Sequence, residues 1–216
     1  MKKIISFFLL IMCICFTSLG CSAYKDVSAE ESVLALYKLY IQCDGEDAKK
    51  FLGLTDEEVE TLLDDLKSDF VSTMKLNFLG AGLTLTDEEA EELFNIQVNA
   101  LKKLSPTISV ESESEEEITI KLSTSCINLN EIYTTAATDI IAEAENASKD
   151  ELSKLLLENL TELLTSAEPS AETSEETFIL EKQQVMINNK ATTVWFPGDV
   201  IDFSSKLSSM CYGVDS

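Results

Sequence analysis

The stretch from Phe178 to Gly198, FILEKQQVMINNKATTVWFPG, decides the fold. Its β-branched and aromatic residues on either side of a polar centre predict two strands. Asn188 and Asn189 lie between them, and asparagine tolerates the positive φ angles that a tight turn needs. Pro197 followed by Gly198 ends the second strand. The stretch therefore predicts a β-hairpin that runs from Phe178 to Ile187 and returns through Phe196.

A second hairpin is predicted upstream of this one. Apolar and polar residues alternate with the period of a strand before and after an acidic turn, Glu111 to Glu117. The apolar positions are Ile108, Val110, Ile118, Ile120 and Leu122. Strands that are joined by short turns pair in antiparallel fashion, so both hairpins favour an antiparallel sheet.

Helices are predicted by their first turns. A capping residue stands three positions before a glutamate five times, and each such pair is typical of a capping box at a helix N-terminus. The pairs are Ser28 with Glu31, Thr55 with Glu58, Thr86 with Glu89, Asn128 with Glu131, and Ser148 with Glu151. Apolar residues with helical spacing follow each pair. Asp199 is predicted to cap one more short helix.

The order of elements predicts an α+β fold in one domain, residues 28–216, with N-terminal helices packed on a sheet made of the two hairpins. LTDEE occurs at residues 54–58 and again at 85–89, and shared capping chemistry accounts for both copies. The segment from Thr165 to Thr177 is rich in Ser, Thr and Glu. Its composition predicts a mobile loop inside the domain.

The N-terminus predicts export. Lys2 and Lys3 precede an apolar run from Ile4 to Phe16, and a small residue, Gly20, comes directly before Cys21. This layout is typical of a signal peptide over residues 1–20. The apolar run is too short for a membrane span, which needs about 20 apolar residues. Residues 21–27 are predicted to serve as an anchor and tether for the domain.

A cysteine in this position resembles the lipobox of bacterial lipoproteins, in which the cysteine is lipidated and the preceding bond is cut. The resemblance implies a palmitate-type lipid on Cys21 and a protein on the extracellular face of the cell membrane. Leu19 lies one place later than the leucine of that motif. Three further segments resemble uncharacterised Gram-positive lipoproteins that carry the domain of unknown function 5105. They are residues 37–52, Ile127-Asn-Leu129 and Trp195-Phe-Pro197. That family implies a cystatin-like cone of the nuclear transport factor 2 superfamily, in which a curved sheet wraps a helix.

Charge limits the partners. The chain has 39 acidic residues, 16 lysines, no arginine and no histidine, and its formal net charge is −23. Loss of Lys2 and Lys3 with the leader makes the charge more negative still. Nucleic-acid binding requires neutralisation of phosphates, so no nucleic-acid partner is expected. A basic protein or peptide is the expected kind of partner. The absence of arginine is typical of an AT-rich genome and favours a low-GC Gram-positive source.

Motifs for catalysis are weak. Ser72-Thr-Met-Lys75 matches the S-x-x-K pattern of penicillin-binding proteins, but Met74 lies on the apolar stripe of a predicted helix and no K-T-G or S-D-N element exists. The acidic segment from Asp44 to Asp47 lacks the ligand spacing of a calcium loop. No catalytic residue, metal site or cofactor is therefore predicted.

Three cysteines follow Cys21, namely Cys43, Cys126 and Cys211. They are too far apart in sequence for a zinc motif. Either one disulfide forms among them or all three pack as thiols.

Three aromatic residues, Trp195, Phe196 and Tyr133, are candidates for the lining of a ligand pocket, although core packing is the alternative. The sequence as a whole predicts a non-enzymatic lipoprotein that binds a protein or a small ligand. Two alternatives stay open. One is a cell-envelope hydrolase that uses Ser or carboxylate residues, and the other is a structural accessory subunit of a membrane complex, which requires an exposed apolar patch.

Overall fold

A computed structural model describes residues 26–141 and 147–213, so the predicted leader and Cys21 lie outside the described residues. The helices are α1 (Ala29–Ile41), a π-helix (Ala48–Leu52), α2 (Asp56–Gly80), α3 (Asp87–Leu101), α4 (Leu129–Ile141), α5 (Lys149–Ser166) and α6 (Val200–Tyr212). The strands are β1 (Thr107–Glu113), β2 (Glu117–Ser125), β3 (Thr173–Ile187) and β4 (Lys190–Pro197). The predicted α+β class is confirmed.

The four strands form one antiparallel sheet in the order β1-β2-β3-β4. Both predicted hairpins are present. Ile108 pairs with Leu122 in the first hairpin, and Lys182 pairs with Trp195 in the second. Asn188 and Asn189 have φ angles of 51° and 60° and make the tight turn between β3 and β4.

Two predicted loops are shorter than expected. The register of the first hairpin shifts between Val110 and Ser112, and the strands then continue, so only residues 114–116 form the turn. The predicted loop from Thr165 to Thr177 is confined to residues 167–172, because α5 extends to Ser166 and β3 begins at Thr173. In the short connection, the Ser170 N–H donates to the Cys126 carbonyl oxygen at 2.8 Å.

The predicted capping pairs hold the helix starts. Complete capping boxes precede α1, α3 and α5. Thr55 and Glu58 exchange the same two hydrogen bonds before α2. At α4 the Glu131 N–H donates to Asn128, whose side-chain amide donates to the Glu131 carboxylate. Asp199 accepts hydrogen bonds from the first turn of α6, as predicted.

The contribution of the Thr86–Glu89 capping box to stability depends on pH. The Thr86 N–H donates to the Glu89 carboxylate at 2.8 Å, and this bond, together with the one from the Thr86 hydroxyl, lowers the Glu89 pKa from 4.5. The carboxylate therefore stabilises the folded chain above pH 4.5, and this contribution is lost as the pH falls through the lowered pKa. We expect Glu89→Gln to unfold at a lower urea concentration than the wild type at neutral pH, and the difference between the two midpoints to shrink as the pH falls below 4.5. Glu88→Gln removes the same charge outside the box and is the control. A Glu89→Gln difference that stays constant with pH contradicts the prediction.

The described residues group into two compact units, each made of separated segments of the chain. The first unit comprises residues up to Leu63, Pro106–Ser123 and Glu175–Ser208. In this unit α1 lies across the sheet, because its Cα atoms come within 8 Å of both outer strands, β1 and β4. Alternate residues of β2 are buried. The rings of Phe178 and Phe203 pack together with their centroids 4.7 Å apart. The first unit thus has its own apolar core.

The outer edge of β4 is covered by Val27 and by Ser32 in the first turn of α1. The Val27 N–H donates to the Thr193 carbonyl oxygen at 2.9 Å, and the Trp195 N–H donates to the hydroxyl of the buried Ser32 at 3.2 Å. An outer strand presents backbone groups that have no partner within its sheet. Residues 27–32 satisfy two of these groups on β4.

The second unit is mainly helical and comprises Asp64–Ser105, Thr124–Ser174 and residues from Ser209 onward. Here α5 packs against both α3 and α4. Leu93 of α3 and Leu160 and Leu164 of α5 are buried. The Thr84 N–H donates to the Ser153 hydroxyl at 3.0 Å and ties the α2–α3 connection to α5.

Candidate functional site

A shallow groove, open to solvent, lies on the surface of the helical unit. It has a volume of about 490 Å³ and lies between α3, which contributes Glu92, and α5, which contributes Leu157 and the residues that follow it on the same face. Those residues are Glu158, Thr161, Glu162, Thr165 and Ser166. Because the groove is open along one side, it suits a segment laid along the surface better than an enclosed small ligand.

The groove face of α5 consists of two adjacent rows. Leu157, Thr161 and Thr165 are four residues apart, and Glu158 and Glu162 stand beside them with the same spacing. Residues four apart are neighbours on a helix surface. Most of the groove wall is apolar carbon, so an apolar floor lies next to a row of carboxylates.

Lysines near the groove are engaged with other groups. Lys67 binds Glu91 at 2.5 Å, and Lys103 binds both the Ala167 carbonyl oxygen and Glu168. Lys154 lies 3.7 Å from Glu158, but both side chains are mainly exposed, and such pairs contribute little. Among the described residues, no lysine forms an ion pair with Glu92 or Glu162. The groove therefore carries net negative charge.

The three predicted pocket residues do not line this groove. Trp195 and Phe196 are adjacent on β4 and are only 7% and 6% exposed. Lys182 lies over the Trp195 ring at 5.8 Å. Tyr133 of α4 donates from its hydroxyl to Gln97 at 2.6 Å, and burial raises the pKa of this tyrosine. The role of these three side chains as ligand contacts stays a prediction.

The S-x-x-K pattern lies in the middle of α2. Ser72 is exposed there, and Lys75 forms an ion pair with Asp87 at the start of α3. A lysine that is held by a carboxylate is a poor base for a serine nucleophile. The arrangement therefore favours a structural ion pair over a nucleophilic site.

The carboxylates from Asp44 to Asp47 are used within the first unit. Asp44 accepts the Glu46 N–H at 3.1 Å, Asp47 binds Lys38 at 2.6 Å and Glu46 binds Lys49 at 2.6 Å. Within residues 26–141 and 147–213, no three potential metal ligands of the His, Cys, Asp or Glu types come together. The geometry there is that of a charged connection between helices.

Cys43, Cys126 and Cys211 are thiols in the structure. Cys211 is buried in α6, whereas Cys43 and Cys126 are half-buried. Of the two alternatives that the sequence leaves open, packing as thiols is the one observed.

Sequence reasoning did not identify the groove. The pattern of α5 shows an apolar stripe, and Leu157 is one more leucine beside it. Glu158 and Glu162 are unremarkable in a chain with 39 acidic residues. Their four-residue spacing beside Leu157 was the available local signal. The position of Glu92 depends on how α3 packs against α5, which no local pattern specifies.

Comparison with known proteins gives one similar structure and no family. No protein-family model and no curated protein matches the chain. A crystal structure from Bacillus subtilis subsp. subtilis str. 168, described as a "putative lipoprotein (ycdA)", superimposes with a TM-score of 0.55 at 17% sequence identity. The match covers 84% of this chain and 56% of the other, so this chain spans little more than half of that protein's length. At this identity the likeness concerns the fold.

The similarity to a protein described as a "putative lipoprotein" agrees in part with the predicted resemblance to bacterial lipoproteins. Membership of the domain 5105 family and the cone-shaped sheet stay predictions. No helix in the two described ranges is long and apolar enough to cross a membrane.

Proposed function

We propose that the chain is a lipoprotein that is anchored through a lipid on Cys21 to the outer face of the cytoplasmic membrane and binds a partner without catalysing a reaction on it. The leader carries this proposal, because Lys2 and Lys3, the apolar run and Gly20-Cys21 form the layout of a lipoprotein signal. The fold likeness to a Bacillus subtilis protein described as a "putative lipoprotein" supports it.

The tether limits how far the sheet unit can move from the membrane. Val27 is buried and is hydrogen-bonded to Thr193 of β4. Val27 is the sixth residue after Cys21, and six fully extended residues span about 20 Å. In an anchored protein the β4 edge would thus stay close to the lipid. The net negative charge disfavours flat binding to anionic lipid.

The proposal predicts that Cys21→Ser abolishes lipid attachment. A fatty-acid analogue with a clickable tag is fed to a Gram-positive host that expresses the full chain, and labelling is measured with partition into detergent and digestion by protease on intact cells. The wild type should be labelled, membrane-bound and digestible. Cys21→Ser should lose the label and leave the membrane fraction.

Cys43→Ser is the matched control, because it is the same substitution at a half-buried cysteine of the sheet unit. It should keep the label and the membrane location. Equal labelling of Cys21→Ser and the wild type would overturn the anchor, and protection from protease on intact cells would overturn the outer location.

A further inference from the structure

We propose that the groove between α3 and α5 binds a lysine-bearing amphipathic segment of a partner protein. This inference rests on the proposed function, since it names the chemistry of the partner that the anchored chain would bind. The apolar floor at Leu157 and the carboxylates of Glu92 and Glu162 are the surfaces that the segment would contact.

The charges select the sign of the occupant. Glu92 and Glu162 form no ion pair within the described residues, whereas the neighbouring Glu91 and Glu168 each have a lysine. A negatively charged segment would meet carboxylates on both sides of the groove and would be repelled. A cationic segment would gain two ion pairs without displacing an existing one.

The floor selects for apolar side chains as well. Leu157 is half-buried and lies in a wall that is mostly carbon. Contact of this wall with apolar side chains of a partner removes water from both surfaces, which is favourable in proportion to the area buried. A small hydrated cation would not remove water from the apolar surface at Leu157. The combination therefore favours a segment with both apolar and cationic residues over a metal ion.

The geometry of the groove suits a helix of a few turns. From Leu157 to Ser166 the α5 axis advances about 14 Å. Glu158 and Glu162 are one turn apart on that face. Lysines four residues apart on a partner helix have the same spacing, so the two rows of charge can lie side by side.

The test uses the full-length chain in a non-ionic detergent and three fluorescent peptides of about 12 residues, which span the groove as helices. The first has leucines on one helical face with lysines beside them. The second has the same composition in scrambled order. The third has glutamate in place of lysine. Fluorescence anisotropy should show binding of the first peptide that weakens with salt, and at least about tenfold weaker binding of the other two.

Groove variants are compared with variants of equal charge elsewhere. Glu92→Lys with Glu162→Lys turns two attractions into repulsions and should weaken binding of the first peptide about tenfold. Asp64→Lys with Asp69→Lys makes the same change at exposed positions of α2 and should change it less than about twofold. Circular dichroism confirms that both double variants keep their helix content.

Three results would overturn the groove proposal. They are no binding of the first peptide, equal binding of the scrambled peptide, or equal losses in the two double variants. The lipid-labelling experiment is independent of these results. If the chain carries the lipid but does not bind the peptide, only the groove proposal is overturned. If the chain binds the peptide but carries no lipid, only the lipid anchor is overturned.

Discussion

Gly45→Ala should lower the free energy of unfolding by about 2 to 3 kcal/mol, a typical cost for added volume in a packed site. A Cβ atom at Gly45 would lie 2.1 Å from Cγ1 of Val59. It would also lie 3.3 Å from Cβ and Cγ2 of the same side chain. Real carbon atoms do not approach so closely, so the connection before the π-helix or the first turn of α2 has to move.

Val59 cannot relieve the clash by rotating. It is 6% exposed, and a β-branched residue in a helix has one strongly preferred side-chain rotamer. Gly45 is itself buried, and its carbonyl oxygen accepts the Lys49 N–H at 3.0 Å. Movement of this backbone therefore disturbs the start of the π-helix as well.

Urea denaturation followed by circular dichroism measures the effect. Gly198→Ala is the matched control. Its Cβ would meet a Glu181 carboxylate oxygen at 2.6 Å, and that flexible end of an exposed side chain can swing away. We expect it to cost less than about 0.5 kcal/mol. Adding Val59→Ala to Gly45→Ala should recover part of the loss. Strictly additive effects in this cycle, or equal effects of the two glycine variants, would contradict the steric account.

Much of the fold follows from local sequence. A capping box needs two side chains three residues apart, so Ser28 with Glu31 and Thr86 with Glu89 specify helix starts without reference to the rest of the chain. The turn at Asn188 and Asn189 is equally local, because the residues that adopt positive φ are those that do so at least cost. These predictions are confirmed because nearby residues determine the outcome.

Predictions fail where distant residues decide. Composition favoured a mobile segment from Thr165 to Thr177, yet Thr173 to Thr177 belong to β3. Glu175 binds Lys121 of β2 at 2.5 Å, which places a residue of the supposed loop in the sheet. A polar segment becomes ordered when an adjacent strand supplies hydrogen bonds, and the adjacency of β2 and β3 spans two helices of intervening sequence.

The candidate site was less predictable than the fold. The sequence makes Trp195 a candidate for a pocket lining with core packing as the alternative, and its burial on β4 is what core packing produces. The groove depends instead on Glu92 and Glu162, which lie on different helices. Their shared surface arises from the packing of α3 on α5, and no spacing in the sequence encodes it.

Ser32→Ala should destabilise the chain by about 1 to 3 kcal/mol, which is the cost of a buried donor that loses its acceptor. Ser32 is fully buried, and its hydroxyl accepts the Trp195 N–H at 3.2 Å. Thr193 and Trp195 are two apart on β4, so their backbone groups point to the same side, away from β3. The Val27 N–H donates to the Thr193 carbonyl oxygen, and the Ser32 hydroxyl accepts the Trp195 N–H.

The sign of the change in unfolding free energy in Ser32→Ala distinguishes loss of the hydrogen bond to Trp195 from an effect of helix propensity. Alanine is a better helix former than serine, so a Ser32 without a tertiary role would stabilise α1 when replaced. Ser166→Ala is the control, because that exposed hydroxyl donates to the Glu162 and Leu163 carbonyl oxygens of its own helix, and its removal should cost less than about 0.5 kcal/mol.

Trp195 is the only tryptophan of the chain, so its fluorescence reports on the β4 edge directly. In Ser32→Ala we expect a lower urea midpoint and faster hydrogen exchange at the Trp195 amide, with the other β4 amides affected less. Unchanged exchange at this amide would mean that Ser32 does not protect it. Faster exchange would show that Ser32 of α1 helps to close the outer edge of the sheet, which is otherwise open to pairing with another strand.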